Sequence, residues 1–248
     1  MRQIIQILFF LILISCNSKK DRSKAFVPES SGNLNYVTIV MNKSDWDSGL
    51  GNIVRKSMGA IYEGLPLDEP QFSLRHLNPQ VFSGFARQNR NIIWFQKDSI
   101  SRFQLATNQF ARPQIVALIT GLDAQDQAFS FSENIDLLRQ TMLENERKEK
   151  LRRINKSLST EKNLANRFGF NLKYPSAYKT VKDTTNFIWI QKQIQKGHLN
   201  IIAYILPKDA LKGAFNKKIL NIRDSIGKLY VPGRLPGSFL ITERAFRP

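Results

Sequence analysis

The segment NIIWFQK at Asn91–Lys97 decides the fold of this chain, because a closely similar segment, NFIWIQK, recurs at residues 186–192. The two segments lie 95 residues apart and agree at five of seven positions. Both are rich in β-branched and aromatic residues, which is the composition typical of buried strands. Each segment therefore predicts a strand whose tryptophan, Trp94 or Trp189, anchors a core.

A second pair of segments lies upstream of these strands and suggests a duplication. Residues 72–76 (FSLRH) parallel residues 170–174 (FNLKY) at an offset of 98. Each half then reads as a helix followed by three strands, with residues 114–120 and 199–206 as the third strands. Convergent strand composition is the alternative explanation for the tryptophan match, but the paired upstream block favours duplication.

The predicted architecture is α+β. It consists of two duplicated units at residues 34–129 and 130–248, each a mixed or mainly antiparallel sheet with helices on one face. Trp94 and Trp189 would occupy equivalent places in the two cores. Helix starts are predicted at Ser44 and at Ser130, where a carboxylate three residues later completes a capping pattern.

The first sixteen residues have the pattern of a lipoprotein export signal. Arg2 supplies a positive start, residues 4–14 form an apolar run broken only by Gln6, and Ser15 precedes Cys16. A membrane span needs roughly 20 apolar residues, so this run is too short to be one. We therefore predict a signal peptide at residues 1–15 and acylation of Cys16, the only cysteine of the chain.

Residues 16–33 are polar and basic and are predicted to form a flexible tether between the lipidated cysteine and the folded part. The 17 residues after Cys16 would give a reach of roughly 22 Å. Asn17 is not the aspartate that retains many lipoproteins at the inner membrane. The expected location is therefore the cell envelope, at the periplasmic face of the outer membrane.

The formal charge of +17 indicates anionic partners. Export makes nucleic acid a poor candidate, whereas anionic lipid headgroups attract basic segments at about 1 kcal/mol per Lys or Arg. We expect membrane lipid as a partner through the acylated cysteine, together with an envelope protein or an anionic glycan. Solvated surface charge without a specific partner is the alternative.

The chain carries no phosphate loop, no nucleophile elbow and no zinc-protease motif, so no cofactor and no metal are expected. His76 and His198 fall near predicted strand ends without a second ligand at metal-binding spacing. Residues 45–49 imitate the start of a calcium loop. Leu50 and Lys56 stand where that loop needs glycine and glutamate.

Asp68 and Glu69 are adjacent carboxylates in a connector bounded by prolines. A carboxylate pair on either side of a glycosidic bond can perform acid and base catalysis, although adjacent residues rarely point into one site. Loop solvation, or an ion pair with Arg75 or Arg90, is the structural interpretation.

Trp46 and six short segments form an ordered set along the chain, namely residues 64–72, 90–93, 111–114, 186–190, 223–226 and 231–233. Through this set the sequence resembles a family of uncharacterised bacterial envelope lipoproteins, domain-of-unknown-function family 4837, from about Tyr36 to the last residue. The resemblance implies no activity. Members of that family continue beyond the block at residues 238–243. The resemblance therefore leads us to expect either a shortened second unit or a second unit that lacks its carboxyl end.

Three functions follow as hypotheses, of which the least specific is a structural protein of the envelope without a specific ligand. The first is a non-enzymatic lipoprotein that binds another envelope component from a membrane tether. The alternative is a hydrolase of cell-wall glycan that uses carboxylates such as Asp68, Glu69 or Asp123. No residue of the sequence is identified as catalytic by motif.

Overall fold

A computed structural model describes residues 26–63, 65, 67–213 and 215–244, and of residue 216 only the backbone. The predicted signal peptide, Cys16 and the carboxyl-terminal Pro248 lie outside the described residues. Within the described residues, no helix has both the length and the apolar character needed to cross a membrane.

The first sheet has five strands, and it is mixed. The strands β1, β2, β3 and β5 run parallel, and β4 pairs antiparallel with β5 at one edge. Their order across the sheet is β2-β1-β3-β5-β4. The strands are β1 (Tyr36–Val40), β2 (Ser73–Leu77), β3 (Asn91–Lys97), β4 (Arg102–Thr107) and β5 (Ile115–Gly121).

Helices cover one face of this sheet, as predicted. They are α1 (Lys43–Trp46), α2 (Gly49–Met58) and α3 (Ala124–Lys156). Apolar side chains of α2 and α3 pack with alternate residues of the strands in the main core, which includes Phe131 and Met142. The opposite face is covered by two 3-10 turns at Pro79–Val81 and Gly84–Gln88.

Two helix starts differ from the prediction. Ser44 lies inside α1, and Ser48 caps α2 instead, because its Oγ accepts a hydrogen bond from the Leu50 amide at 3.3 Å. Ser130 lies inside α3, which begins after Asp123; that carboxylate accepts from two amides of the first turn. A capping carboxylate also suits the partial positive charge at a helix amino terminus.

The long helix α3 runs unbroken through residues 129 and 130, where the sequence placed the boundary between the two units. Its apolar residues Phe131, Leu138 and Met142 are fully buried in the core of the first sheet. The packing therefore assigns the whole of α3 to the first unit, and the second unit begins after Lys156.

The second sheet is an antiparallel meander in the order β6-β7-β8. Its elements are α4 (Asn163–Phe168), β6 (Lys179–Thr184), β7 (Phe187–Ile194), β8 (Gly197–Tyr204) and α5 (Phe215–Tyr230). Leu164 of α4 packs against Ile188 and Ile190 on one face. On the other face, the ring of Phe187 stacks on Tyr230 with centroids 4.3 Å apart.

The α+β class is confirmed, but the strand pairing does not support a duplication. β3 lies between parallel neighbours, whereas its sequence counterpart β7 lies between antiparallel ones. Residues 170–174, matched in sequence with β2, form no strand. The two similar segments are therefore explained by similar surroundings, since both form a central, buried strand of a sheet, where the same apolar and aromatic residues are favoured.

Candidate functional site

The adjacent carboxylates Asp68 and Glu69 are exposed in the connector between α2 and β2. Among the described residues neither side chain forms an ion pair, so of the two structural interpretations the exposure supports loop solvation and not pairing with Arg75 or Arg90. The guanidinium of Arg90 is bound to other carboxylates. Asp68 and Glu69 thus lack the supporting contacts that would orient an acid and a base.

The other predicted acidic residues have local structural roles. Asp123 caps α3, and Asp47 pairs with Lys43 one helical turn earlier. Across the described part of the chain, no three His, Cys, Asp or Glu side chains are grouped so that they could hold a metal ion.

The two histidines have different surroundings. The His76 ring stacks on Trp46 with centroids 5.1 Å apart, and its Nε2 lies 2.9 Å from the Met41 carbonyl oxygen. Arg55 covers Trp46 at 4.4 Å from the ring centre. His198 is exposed at the start of β8, directly after the turn of the β7–β8 hairpin.

The two tryptophans do not occupy equivalent places. Trp94 packs edge-on against Phe82 beneath the 3-10 turns, with ring centroids 4.9 Å apart. Trp189 lies on the α5 side of β7, where its Nε1 donates to Asn200 Oδ1 at 2.9 Å. The prediction of two equivalent core anchors was therefore wrong, because only Trp94 belongs to a cluster closed by other apolar side chains.

The most constrained polar site in the described chain is a buried ion cluster between β3 and α3. Arg90 is only 2 % exposed, and its Nε donates to Glu146 Oε1 at 2.6 Å. Asn91 Nδ2 donates to the same oxygen at 2.6 Å, and the Asn35 amide donates to Oε2 at 2.8 Å. A buried carboxylate needs such donors, since an unpaired buried charge costs several kcal/mol.

Glu149, one turn further along α3, extends the ion cluster to the surface. Its carboxylate accepts from Arg152 Nε at 2.6 Å and from Arg153 Nε at 2.8 Å. The hydrogen bond from Arg152 is the main cause that holds the pKa of Glu149 at about 2, against its usual 4.5, although burial opposes this. The group is therefore ionised at neutral pH and has no proton to give to a substrate.

The ion cluster fixes an N-terminal strap, which we define as residues 28–33. The Ser30 amide donates to the Arg112 carbonyl at 2.9 Å, and the Arg112 amide donates to the Pro28 carbonyl at 2.8 Å. Arg90 Nη2 donates to the Asn33 carbonyl at 2.7 Å, and Arg153 Nη2 donates to the Gly32 carbonyl at 3.0 Å. The composition assigned these residues to a flexible tether, but their backbone groups are bound to the first unit.

An open cavity of about 430 Å³ lies beside the strap. Three cationic and two anionic side chains surround it, with two prolines and a valine completing the wall. The lining residues are Val27, Pro28, Glu29, Arg112, Pro113, Lys148, Glu149 and Arg152. Sequence reasoning missed this site, because residues 144–153 are mostly charged and such residues are usually exposed. The placement of Arg90 directly before a buried strand is the one sequence feature that suggests an internal ion pair.

Two family models match the chain. Residues 30–155 match Domain of unknown function (DUF8532), and residues 157–248 match Domain of unknown function (DUF4837). The resemblance to family 4837 is thereby confirmed for the second unit, while the first unit matches the other model. The junction between the two matches falls at the end of α3, in agreement with the packing. No curated protein and no solved structure matches the chain.

Proposed function

Starting from the fact that this chain belongs to the family described as Domain of unknown function (DUF8532), we propose that it is a membrane-anchored envelope lipoprotein with a non-enzymatic binding role. Cys16 would carry the lipid. The expected location is the periplasmic face of the outer membrane. The family assignments carry no activity, so the proposal depends on the residues themselves.

The observation that carries the proposal is the strap. It is bound to the first unit from Pro28 on, only 12 residues after Cys16. A chain of that length has a typical reach of about 20 Å if it is flexible, and about 40 Å when fully extended. An acylated Cys16 would therefore hold the first unit close to the bilayer, with the strap and its cavity as the nearest surface.

The roles of the ionisable side chains support binding rather than catalysis. Asp123 caps a helix, and Glu146 and Glu149 are bound by arginines. Asp68 and Glu69 are exposed and form no ion pair with any residue that the structure describes. A general acid or base needs a pKa near the working pH and a fixed position. The low pKa of Glu149 is the opposite of that requirement.

Metabolic labelling with an alkyne analogue of palmitate tests the anchor. We expect the wild-type chain to be labelled and to sediment with membranes, and Cys16→Ala to lose both properties. Ser18→Ala, two residues away, is the matched control and should keep the label. A Cys16→Ala chain that is labelled like the wild type would overturn the proposal.

A second assay addresses the hydrolase alternative. Purified wild-type protein and the Asp68→Ala/Glu69→Ala variant are incubated with cell-wall fragments, and released reducing ends are measured. We expect no turnover by either protein. Turnover by the wild type that the double variant loses would replace the binding role by the enzymatic one.

A further inference from the structure

The positive charge of this protein is concentrated in one unit. Residues 157–248 contain 16 Lys and Arg against 5 Asp and Glu, whereas residues 26–156 contain 16 against 14. The second unit thus has a formal excess of +11 and the first of +2. A partner recruited by charge would meet the second unit with far greater attraction.

A groove crosses the face of the second sheet that α5 covers only in part. It consists of three adjoining cavities of about 320, 370 and 420 Å³. The first and second share the lining residues His198 and Arg234, and the second and third share Leu240. Its floor consists of cross-strand pairs of β7 and β8 that point to one side of the sheet. These floor residues are Trp189 with Ile202, Gln191 with Asn200, and Tyr204.

The far wall of the groove is the segment after α5, and it is firmly attached. A Cβ at Gly227 would lie 1.9 Å from the Leu240 carbonyl oxygen, so helix and segment touch through their backbones. The Asp224 carboxylate accepts from the Thr242 amide and from Arg244 Nη2, both at 2.7 Å. The bond from Arg244 is the main cause that lowers the pKa of Asp224 to about 2.

The floor offers oriented hydrogen-bond donors beside an aromatic ring. Asn200 Oδ1 accepts from Trp189 Nε1 at 2.9 Å and from Gln191 Nε2 at 3.0 Å. This fixes the Asn200 amide and leaves its Nδ2 without an acceptor in the described part of the protein. An aromatic ring next to fixed amide groups suits a ligand with one apolar face and many hydroxyls, such as a sugar ring.

Two arginines, together with Lys196 of the β7–β8 turn, supply the charge of the groove. Arg223 on α5 and Arg234 on the wall line it, and both are exposed. Neither has a carboxylate partner among the residues that the structure describes, although other arginines of this unit do. Guanidinium groups bind carboxylate and phosphate through paired hydrogen bonds.

We propose that this groove binds an acidic glycan chain. Sugar rings would stack on Trp189, their hydroxyls would bond to Asn200 and Gln191, and Arg223 and Arg234 would bind carboxylate or phosphate groups along the chain. The proposal rests on the proposed binding role and names its partner class. An acidic glycan fits better than a lipid, because the floor is polar and the groove is open along its length.

The test is a titration of the full-length protein in mild detergent with oligogalacturonate, monitored by calorimetry. A neutral cello-oligosaccharide of equal length serves as the ligand control. We expect binding of the acidic oligomer, and at least a tenfold loss of affinity in the Arg223→Gln/Arg234→Gln variant. Asn200→Ala should weaken the same interaction while leaving the charge unchanged.

The matched control variant is Lys162→Gln/Lys173→Gln. It removes the same charge next to α4, which packs on the opposite face of the sheet. We expect it to alter the affinity less than threefold, and circular dichroism should show that all variants are folded. An equal loss in both double variants would reduce the interaction to unspecific charge attraction and overturn the proposal.

Other outcomes would also contradict it. Equal affinity for the neutral oligosaccharide would remove the role of the arginines, and tighter binding of a single-stranded oligonucleotide would replace the glycan by another polyanion. Failure of the glycan titration with normal labelling of Cys16 would overturn this inference alone. Loss of labelling with intact glycan binding would instead overturn the proposed anchor.

Discussion

Replacing Arg90 by Met removes a buried cation and leaves the Glu146 carboxylate in place. In the folded protein Arg90 is 2 % exposed and Glu146 is 3 % exposed, so water cannot take over the lost hydrogen bonds. The variant also loses the bonds from Arg90 to the Gly32 and Asn33 carbonyls of the strap. Removing one partner of a buried pair costs about 3 to 5 kcal/mol.

That loss is large compared with the roughly 5 to 15 kcal/mol that stabilise a typical domain. Arg75→Met on β2 is the matched control, because Arg75 is exposed and should change the free energy of unfolding by less than about 0.5 kcal/mol. Adding Glu146→Gln to Arg90→Met removes the uncompensated charge while keeping an acceptor for Asn91. We expect the double variant to be more stable than Arg90→Met alone.

The assay is urea denaturation followed by tryptophan fluorescence in a Trp189→Phe background. In that background the emission comes from Trp46 and Trp94, which both belong to the first unit. A loss below about 1 kcal/mol for Arg90→Met would refute the reasoning, since it would mean that the carboxylate is solvated or protonated at little cost. A double variant less stable than Arg90→Met would refute the assigned cause.

Three further predictions concern the charged pairs, the helix cap and the groove wall. The Glu149 carboxyl has a pKa of about 2 in the folded protein and 4.5 in the unfolded chain, so it contributes about 3 kcal/mol to the free energy of unfolding above pH 4.5. This contribution is lost as the pH falls from 4.5 toward 2. In thermal melts across that pH range, Glu149→Gln should therefore show a flatter dependence of stability on pH than the wild type. Asp123→Ala should lower the free energy of unfolding, measured by chemical denaturation, by about 1 kcal/mol because it removes the cap of α3. Ser130→Ala, inside the helix, should leave this free energy nearly unchanged. A larger loss for Ser130→Ala than for Asp123→Ala would contradict the observed helix start. Gly227→Ala should lower the free energy of unfolding by about 1 to 3 kcal/mol and weaken glycan binding, because the new methyl group displaces Leu240. An unchanged midpoint of thermal unfolding would contradict this, since it would mean that the segment after α5 can move away without cost.

Local composition predicted most of the strands, including the edge strands β2 and β8. The positions of β2, β3, β5, β7 and β8 were predicted to within three residues, because their segments are rich in apolar, β-branched or aromatic residues. The edge strands β4 and β6 were missed. Their outward residues are polar, so these two strands lack the continuous apolar run by which a strand is recognised in a sequence.

The ion cluster shows why the candidate site was beyond sequence reasoning. Arg90 and Glu146 are 56 residues apart, and each taken alone is an ordinary surface residue type. Charged residues are almost never fully buried unless they are paired, and the pair exists only after α3 has packed across β3. The same holds for the strap. Its polar composition predicts a tether, and its position depends on hydrogen bonds between its amides and the carbonyls of a loop that is distant in the sequence.

By itself the sequence determined the α+β class, the main strands and the charge of the chain, because these depend on neighbouring residues or on composition. The tertiary structure alone decided which strands pair, that two similar segments occupy unlike sheets, and which charges are buried. Pairing and burial depend on residues far apart in the chain, and a segment of seven residues such as that of β3 or β7 is compatible with either kind of neighbour.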